Sequence, residues 1–241
     1  MRIAVISDIH GNLEAFRAVL EDIRTQHVDK IITLGDLIDY GADSETIIKE
    51  HIRLNITAIR GNHEHALIDK GLIKHLSDNA SESLRITRKM LSRECLEYIN
   101  DLPLLLTMDG IRFIHALPPD SVIDYIDFVP FNILGYIFES YPETICFVGH
   151  THKLGIYGYN NGNIKFYPIE NEYTKLNPEN RYIINAGSVG QPRDRDKHAK
   201  YVIFNKEDFI LQRRLVDYNA HEAARKIRQS GYPEINAKRL L

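Results

Sequence analysis

Three short runs near the start of the chain, "RIAVIS", "KIITLGD" and "ITAIRGN", restrict the fold more than any other feature of the sequence. Each is almost wholly apolar and rich in β-branched residues, the composition of a strand covered on both faces. Between the first two, Leu13, Phe16, Val19, Leu20 and Ile23 recur at helical spacing, and a second helical segment is expected over residues 44–53. Strand, helix, strand, helix, strand at this rhythm implies parallel pairing through right-handed crossovers. Polar residues close each run: Asp8 and His10, then Asp36 and Asp39 in "GDLIDYG", then Asn62 and His63 in "GNHEH". Sheets of this kind bind ligands outside the carboxyl ends of their strands, so these residues belong on one rim.

Beyond this third the rhythm changes. Residues 66–100 read as a helical insert, with Leu84, Leu91, Cys95 and Ile99 along one side and Pro103 at its exit. The runs "IRFIHA", "TICFVGH", "IKFYPI", "YIINAGS", "KYVIFN" and "FILQRRLV" then read as strands with short connections, pairing largely antiparallel, with "NNGN" as a hairpin-type turn. The aromatic stretch "DYIDFVPFNILGYIFESY" reads as an amphipathic helix packed on the core rather than a stacking platform for a nucleobase. A charged helical tail is expected over residues 218–241. No repeat or flexible linker interrupts the chain, which is therefore expected to form one domain over residues 1–241.

Two more strand ends carry histidine. "FIHA" supplies His115, and "FVGHTH" sets His150 and His152 on either side of Thr151. On extended backbone, side chains two apart project to the same side, which would aim both imidazoles at one pocket. Five strand ends thus deliver Asp, His and Asn to one edge, and accidental surface placement does not select strand ends each time. The donors are carboxylate, amide and imidazole without thiolate, which suits Mn, Fe, Zn or Ni. Asp36 follows Gly35 in a tight turn, and its two carboxylate oxygens could bridge two cations. Two divalent ions carry four positive charges; Asp8, Asp36 and a bridging hydroxide remove three. The surplus suits a phosphate, and ions about 3.5–4 Å apart can hold both its attacking and leaving oxygens. Asp39 reads as a carboxylate that orients neighbouring imidazoles. In "SVGQPRD", Arg193 reads either as a surface ion pair or as a phosphate grip.

The ordered set "DIH", "GDLIDYG", "GNHE", His115 and "GHTH" resembles the calcineurin-like metallophosphoesterase superfamily, and "NAGSVGQPRD" resembles its small bacterial and archaeal branch. The resemblance implies a four-layer α/β/β/α sandwich with two mixed sheets and a centre of two divalent transition-metal ions. One ion would be held by Asp8, His10, Asp36 and His152, the other by Asp36, Asn62, His115 and His150, with His63 as general acid. His63, next to Asn62 in an extended segment, would face away from it. Tyr40 stands where protein phosphatases of this family carry an arginine, which argues against a phosphoprotein substrate. The implied function is hydrolysis of a small phosphodiester, nucleotide or dinucleoside polyphosphate by a metal-bridging hydroxide. A non-catalytic protein-binding scaffold is the rival, and the presence of His63 and every ligand weighs against it.

The remaining expectations come from bulk properties. A formal charge of −3 gives no general grip on nucleic acid. No apolar run is long enough to span a bilayer, and the first is too short for a signal peptide, so a cytoplasmic protein is expected. The only cysteines, Cys95 and Cys146, lie in apolar contexts and read as reduced, buried thiols.

Overall fold

The computed structural model describes residues 1–241. Two six-stranded mixed sheets lie back to back between helices, the four-layer α/β/β/α architecture expected. The first sheet has β1 (Arg2–Ile6), β2 (Lys30–Thr33) and β3 (Thr57–Ala58) in parallel, crossing over through α1 (Leu13–Thr25) and α2 (Ser44–Leu54). It is completed from the far end of the chain: β11 (Ala199–Asn205) pairs antiparallel with β1, followed by β12 (Ile210–Val216) and β9 (Tyr173–Lys175). The second sheet runs β4 (Leu105–Met108), β5 (Ile111–Ile114), β6 (Ile145–Val148), β10 (Arg181–Ala186), β7 (Leu154–Asn160) and β8 (Asn163–Tyr167). Its pairs are antiparallel except at β5–β6 and β6–β10.

Strand alternation divides the core. In β1, Ala4 and Ile6 pack with Phe16, Val19 and Ile47 of the helical layer, whereas Ile3 and Val5 face Phe113, Phe147, Ile184 and Phe204 between the sheets. A third cluster joins Cys146 and Val148 of β6 to Leu134 and Phe138 of α6 (Phe131–Glu139). The insert comprises α3 (Asn62–Ile68), a 3₁₀ turn over Lys70–His75, α4 (Asp78–Met90) and α5 (Arg93–Asp101), with Leu84, Leu91, Cys95 and Ile99 buried as expected. Both thiols are buried and free. The tail forms α7 (Ala220–Gln229) and α8 (Glu234–Lys238).

Three strands, β4, β7 and β9, were not legible in the sequence. In β7, "LGIYGYN", two glycines weaken the strand signal because other side chains need their space. A Cβ on Gly155 would stand 2.6 Å from the Phe166 ring of the neighbouring strand. The aromatic stretch divides between two fates: Ile126, Leu134 and Phe138 are buried, while Phe128, Phe131 and Tyr136 are exposed.

Candidate metal centre

Every sequence-predicted ligand converges at the carboxyl ends of β1, β2, β5 and β6 and the start of α3. The loops that carry them extend the sheet pairing: Asp8 and His10 donate their backbone N–H to Gly35 and Asp36 carbonyls at 3.1 and 2.9 Å, and Gly149 N–H donates to the His115 carbonyl at 2.8 Å. The chain then turns sharply. Of twelve non-glycine residues with positive φ, seven are here: Asp8, His10, Asp36, Asp39, Tyr40, His150 and His152. Such backbone costs of order 1 kcal/mol or more per residue and persists where the surroundings enforce it. Gly149 lets two turns meet, since a Cβ there would lie 1.9 Å from Ser7 Oγ and 2.6 Å from Asp8 Oδ2.

These turns overrule two expectations. His150 and His152 do not lie on extended backbone, with φ of 65° and 63°, although both still line one cleft, each from its own donor group. Asn62 and His63 open α3 rather than continuing a strand, so their side chains diverge by about a third of a turn and not by a half.

The first group contains Asp8, His10, His152 and Asp36. His10 Nδ1–H donates to the Ile38 carbonyl at 3.1 Å and His152 Nδ1–H to the Gln191 carbonyl at 2.5 Å. A carbonyl only accepts, so each ring presents a lone pair at Nε2. Those two lone pairs face each other at 3.2 Å. Burial lowers the pKa of both rings, that of His10 well below the ordinary histidine value, which disfavours a bridging proton. Asp8 Oδ1 lies 3.2 Å from His152 Nε2 and, fully buried, has no hydrogen-bond partner. Acceptors crowded together without a donor call for a cation. Donor atoms about 2.0–2.2 Å from a common ion stand about 3–3.5 Å apart, close to the spacing here.

The second group shares a member with the first. Asp36 Oδ2 is 3.6 Å from His10 Nε2 and 3.3 Å from His115 Nε2. The same oxygen therefore faces both groups, instead of one oxygen serving each as anticipated. The other, Oδ1, accepts the His63 backbone N–H at 3.0 Å. Asn62 Oδ1 stands 2.9 Å from both His115 Nε2 and His150 Nδ1. Burial lowers the His115 pKa, but the Asp36 and Asp8 carboxylates prevail and push it up to about 9. A proton there partly balances the acidic pair and would compete with a metal. The residues fit a divalent cation in both groups.

His63 adjoins the first group, with its ring nitrogen within 4.8 Å of donor atoms of His10 and Asp36. Its Nδ1 donates to Asp39 Oδ2 at 2.6 Å, while Nε2 is 3.9 Å from Asp36 Oδ2. Burial works against its charged form, yet Asp36 and Asp39 raise its pKa above the ordinary value. Asp39 thus orients the His63 ring.

These groups floor a cleft of about 510 Å³, walled by Tyr40, Leu76, Tyr125, Arg193 and Arg239. A sequence profile of the calcineurin-like phosphoesterase superfamily domain matches residues 1–208. The chain belongs to that superfamily. An uncharacterised protein of Methanocaldococcus jannaschii is 34% identical over 248 residues, spanning 99% of this chain and 96% of its own. A metallophosphoesterase structure from Sphaerobacter thermophilus superposes with a TM-score of 0.86 at 32% identity, covering 100% of this chain and 98% of that one. A Pyrococcus horikoshii protein shares the fold, with a TM-score of 0.80 at 21% identity over 99% and 97% of the two chains. Calcineurin-like phosphoesterases use divalent metals and generally hydrolyse phosphate esters.

For a phosphoesterase of this superfamily, some supporting residues escaped sequence reasoning. Buried Glu64 accepts the backbone N–H groups of Asp36, Leu37, Ile38 and Gly61 at 2.8–3.2 Å and so shapes the Asp36 turn. Its signal was available: an acid at the third position of a helix that begins after glycine commonly reaches back to the backbone. Thr87 supports Asp39, donating to Oδ1 at 3.2 Å. Arg239 left no signal, because its place depends on the return of the tail. Arg193, expected in a loop after a strand, lines the cleft and hydrogen-bonds only Gln191 Oε1, at 3.5 Å. The acids that could have paired with it are engaged elsewhere: Asp194 with Lys200 and Asp196 with His198, each at 2.6 Å.

Proposed function

We propose that this chain is a binuclear metal-dependent phosphoesterase acting on a small phosphodiester, nucleotide or dinucleoside polyphosphate. The observation that carries the reading is the pair of buried acceptor groups meeting at one oxygen, Asp36 Oδ2. Asp8, His10, Asp36 and His152 would hold one ion, and Asp36, Asn62, His115 and His150 the other, with Mn, Fe, Zn or Ni suiting these donors. Ions so held would supply a nucleophilic water of lowered pKa and positive charge for the phosphoryl oxygens.

The chain's own residues provide the rest. His63, whose charged form Asp36 and Asp39 favour against burial, gives its Nε2 proton to the departing oxygen, and Asp39 fixes the ring by accepting from Nδ1. Arg193, free of any ion pair, grips a phosphate oxygen. Tyr40 packs its ring at 4.7 Å from His10 and 4.9 Å from His63, closing the wall where an arginine would serve a phosphoprotein phosphatase. The cleft volume suits a small substrate. No helix is long and apolar enough to cross a membrane; we place the protein in the cytoplasm, where its two thiols stay reduced.

Elemental analysis of protein purified without chelator tests the reading, together with hydrolysis of p-nitrophenyl phosphate and its bis ester in added Mn²⁺. We expect up to two transition ions per chain and metal-dependent release of nitrophenol. Metal-free protein that neither takes up Mn²⁺ nor cleaves either ester would leave a binding scaffold as the better account.

A further inference from the structure

The C-terminal hairpin of α7 and α8 lies beyond the residues matched by the family domain, yet it ends in the cleft. Its hold on the site is specific. Asn236, 1% exposed, donates to the Tyr40 carbonyl at 3.3 Å and to Ser83 Oγ at 2.9 Å, and accepts from Asn79 at 2.8 Å. Tyr232 hydrogen-bonds Thr87 at 2.9 Å, the hydroxyl that supports Asp39. Leu240 is buried among Ala223, Ile227 and Ala237, and Lys197 caps the Arg239 carbonyl at 2.8 Å. With Leu240 buried and its own carbonyl held, Arg239 lines the cleft that Arg193 also lines.

Two guanidinium groups therefore meet one cavity from separate elements, and neither forms a salt bridge. The only carboxylates lining that cavity are Asp36, which belongs to the metal groups, and Asp124, which is bonded to Ser121 Oγ at 2.7 Å. Tyr40 lines the same cavity, with its ring against His10 and His63. Like charges so arranged repel until an anion joins them. Guanidinium forks match the oxygens of phosphate, and the cavity is too small for a polymer.

We propose that Arg193 and Arg239 form a second phosphate subsite, so that preferred substrates carry a further phosphate linked to the one being cleaved, as in the ends of nucleoside di- and polyphosphates. This rests on the reading of the floor as the place of phosphoester cleavage. The floor takes the scissile phosphoryl group, and the arginine pair takes its neighbour.

Calorimetric titration of the Mn²⁺-loaded protein with methylphosphonate and with methylenebisphosphonate, which resists hydrolysis, tests the subsite. Wild type should favour the bisphosphonate, and R239Q and R193Q should each lose about tenfold of that preference, the scale of one charge-assisted contact. R239K should recover only part of it, since an ammonium cannot make two parallel bonds. A thermal midpoint equal to that of wild type shows that a variant is folded. If R239Q and R193Q both keep the wild-type ratio of affinities, the subsite is wrong, even where the protein still hydrolyses p-nitrophenyl phosphate. If the preference falls as stated in protein that cleaves no ester, the subsite stands and the catalytic reading fails.

Discussion

At the floor of the cleft, Asp8, His10, Asp36, His115 and His152 are at most 1% exposed, and at least one further bond fixes each ring or carboxylate. At the rim, Arg193 and Asp124 are exposed and Tyr125 is 36% exposed, and few contacts hold them. The floor spends backbone strain to bring donors together, while the rim spends little and can adjust. Such a division assigns the reaction to the floor and the choice of substrate to the rim. Variants that mix the two signatures would break it.

The largest effect is expected at Asp36, where both groups meet. In Asp36→Asn the amide has two orientations and neither suits the site. With nitrogen in place of Oδ2, an N–H points where cations must sit. With nitrogen in place of Oδ1, it opposes the His63 backbone N–H, which now donates at 3.0 Å. Bound metal should fall in both groups, and activity should drop by more than the roughly 10–100-fold seen when a group that merely supports a ligand is lost. Elemental analysis beside steady-state rates checks this. Full metal content with full activity would remove Asp36 from the shared position.

His63 comes next and separates chemistry from metal binding within the floor. His63→Ala should keep its metals and lose about 10²–10⁴-fold in turnover, the scale of a positioned acid. The loss should shrink for a p-nitrophenyl ester, whose leaving group needs little protonation. Equal losses for good and poor leaving groups would show that His63 acts only by packing against His10 and Tyr40.

The contrast also accounts for what the sequence disclosed. Metal donors come from few residue types, and the topology fixes them at strand ends, so Asp8, His10, Asp36, Asn62, His115, His150 and His152 were legible together as candidate donors. Their exact directions were not, because left-handed turns replace the pleat after β6, and a helix begins at Asn62 where extended chain was expected. Strand rhythm disclosed a parallel part and a largely antiparallel part, the four layers came with the family resemblance, and β7 hid behind its two glycines. Rim residues were the hardest to find. Arg239 reaches the cleft through a tail docked in part by Asn236 on the Tyr40 carbonyl, nearly two hundred residues away in sequence, and no local pattern encodes that contact. Arg193 could be named as a candidate, but its lack of a partner depended on where Lys200 and His198 would stand.

Tyr125 touches both regions and carries the smallest expected effect. Its ring lies 4.0 Å from that of His150, tilted by 41°, and 5.8 Å from the exposed ring of Phe128. As a member of the floor, it would serve as cover for His150, and Tyr125→Ala would lower metal content and turnover for every substrate alike. As a member of the rim, it would offer a flat face to a base or aryl group. The second role fits its exposure, and Ile123 already secures His150 through a carbonyl at 3.1 Å. We therefore expect unchanged metal content and a rise in KM of about fivefold for nucleoside-bearing substrates, near 1 kcal/mol of stacking. Esters of small alkyl alcohols should show no change, and Tyr125→Phe should behave as wild type. A uniform loss across both substrate sets, with metal released, would move Tyr125 into the floor and shift the boundary between the two regions outward by one residue.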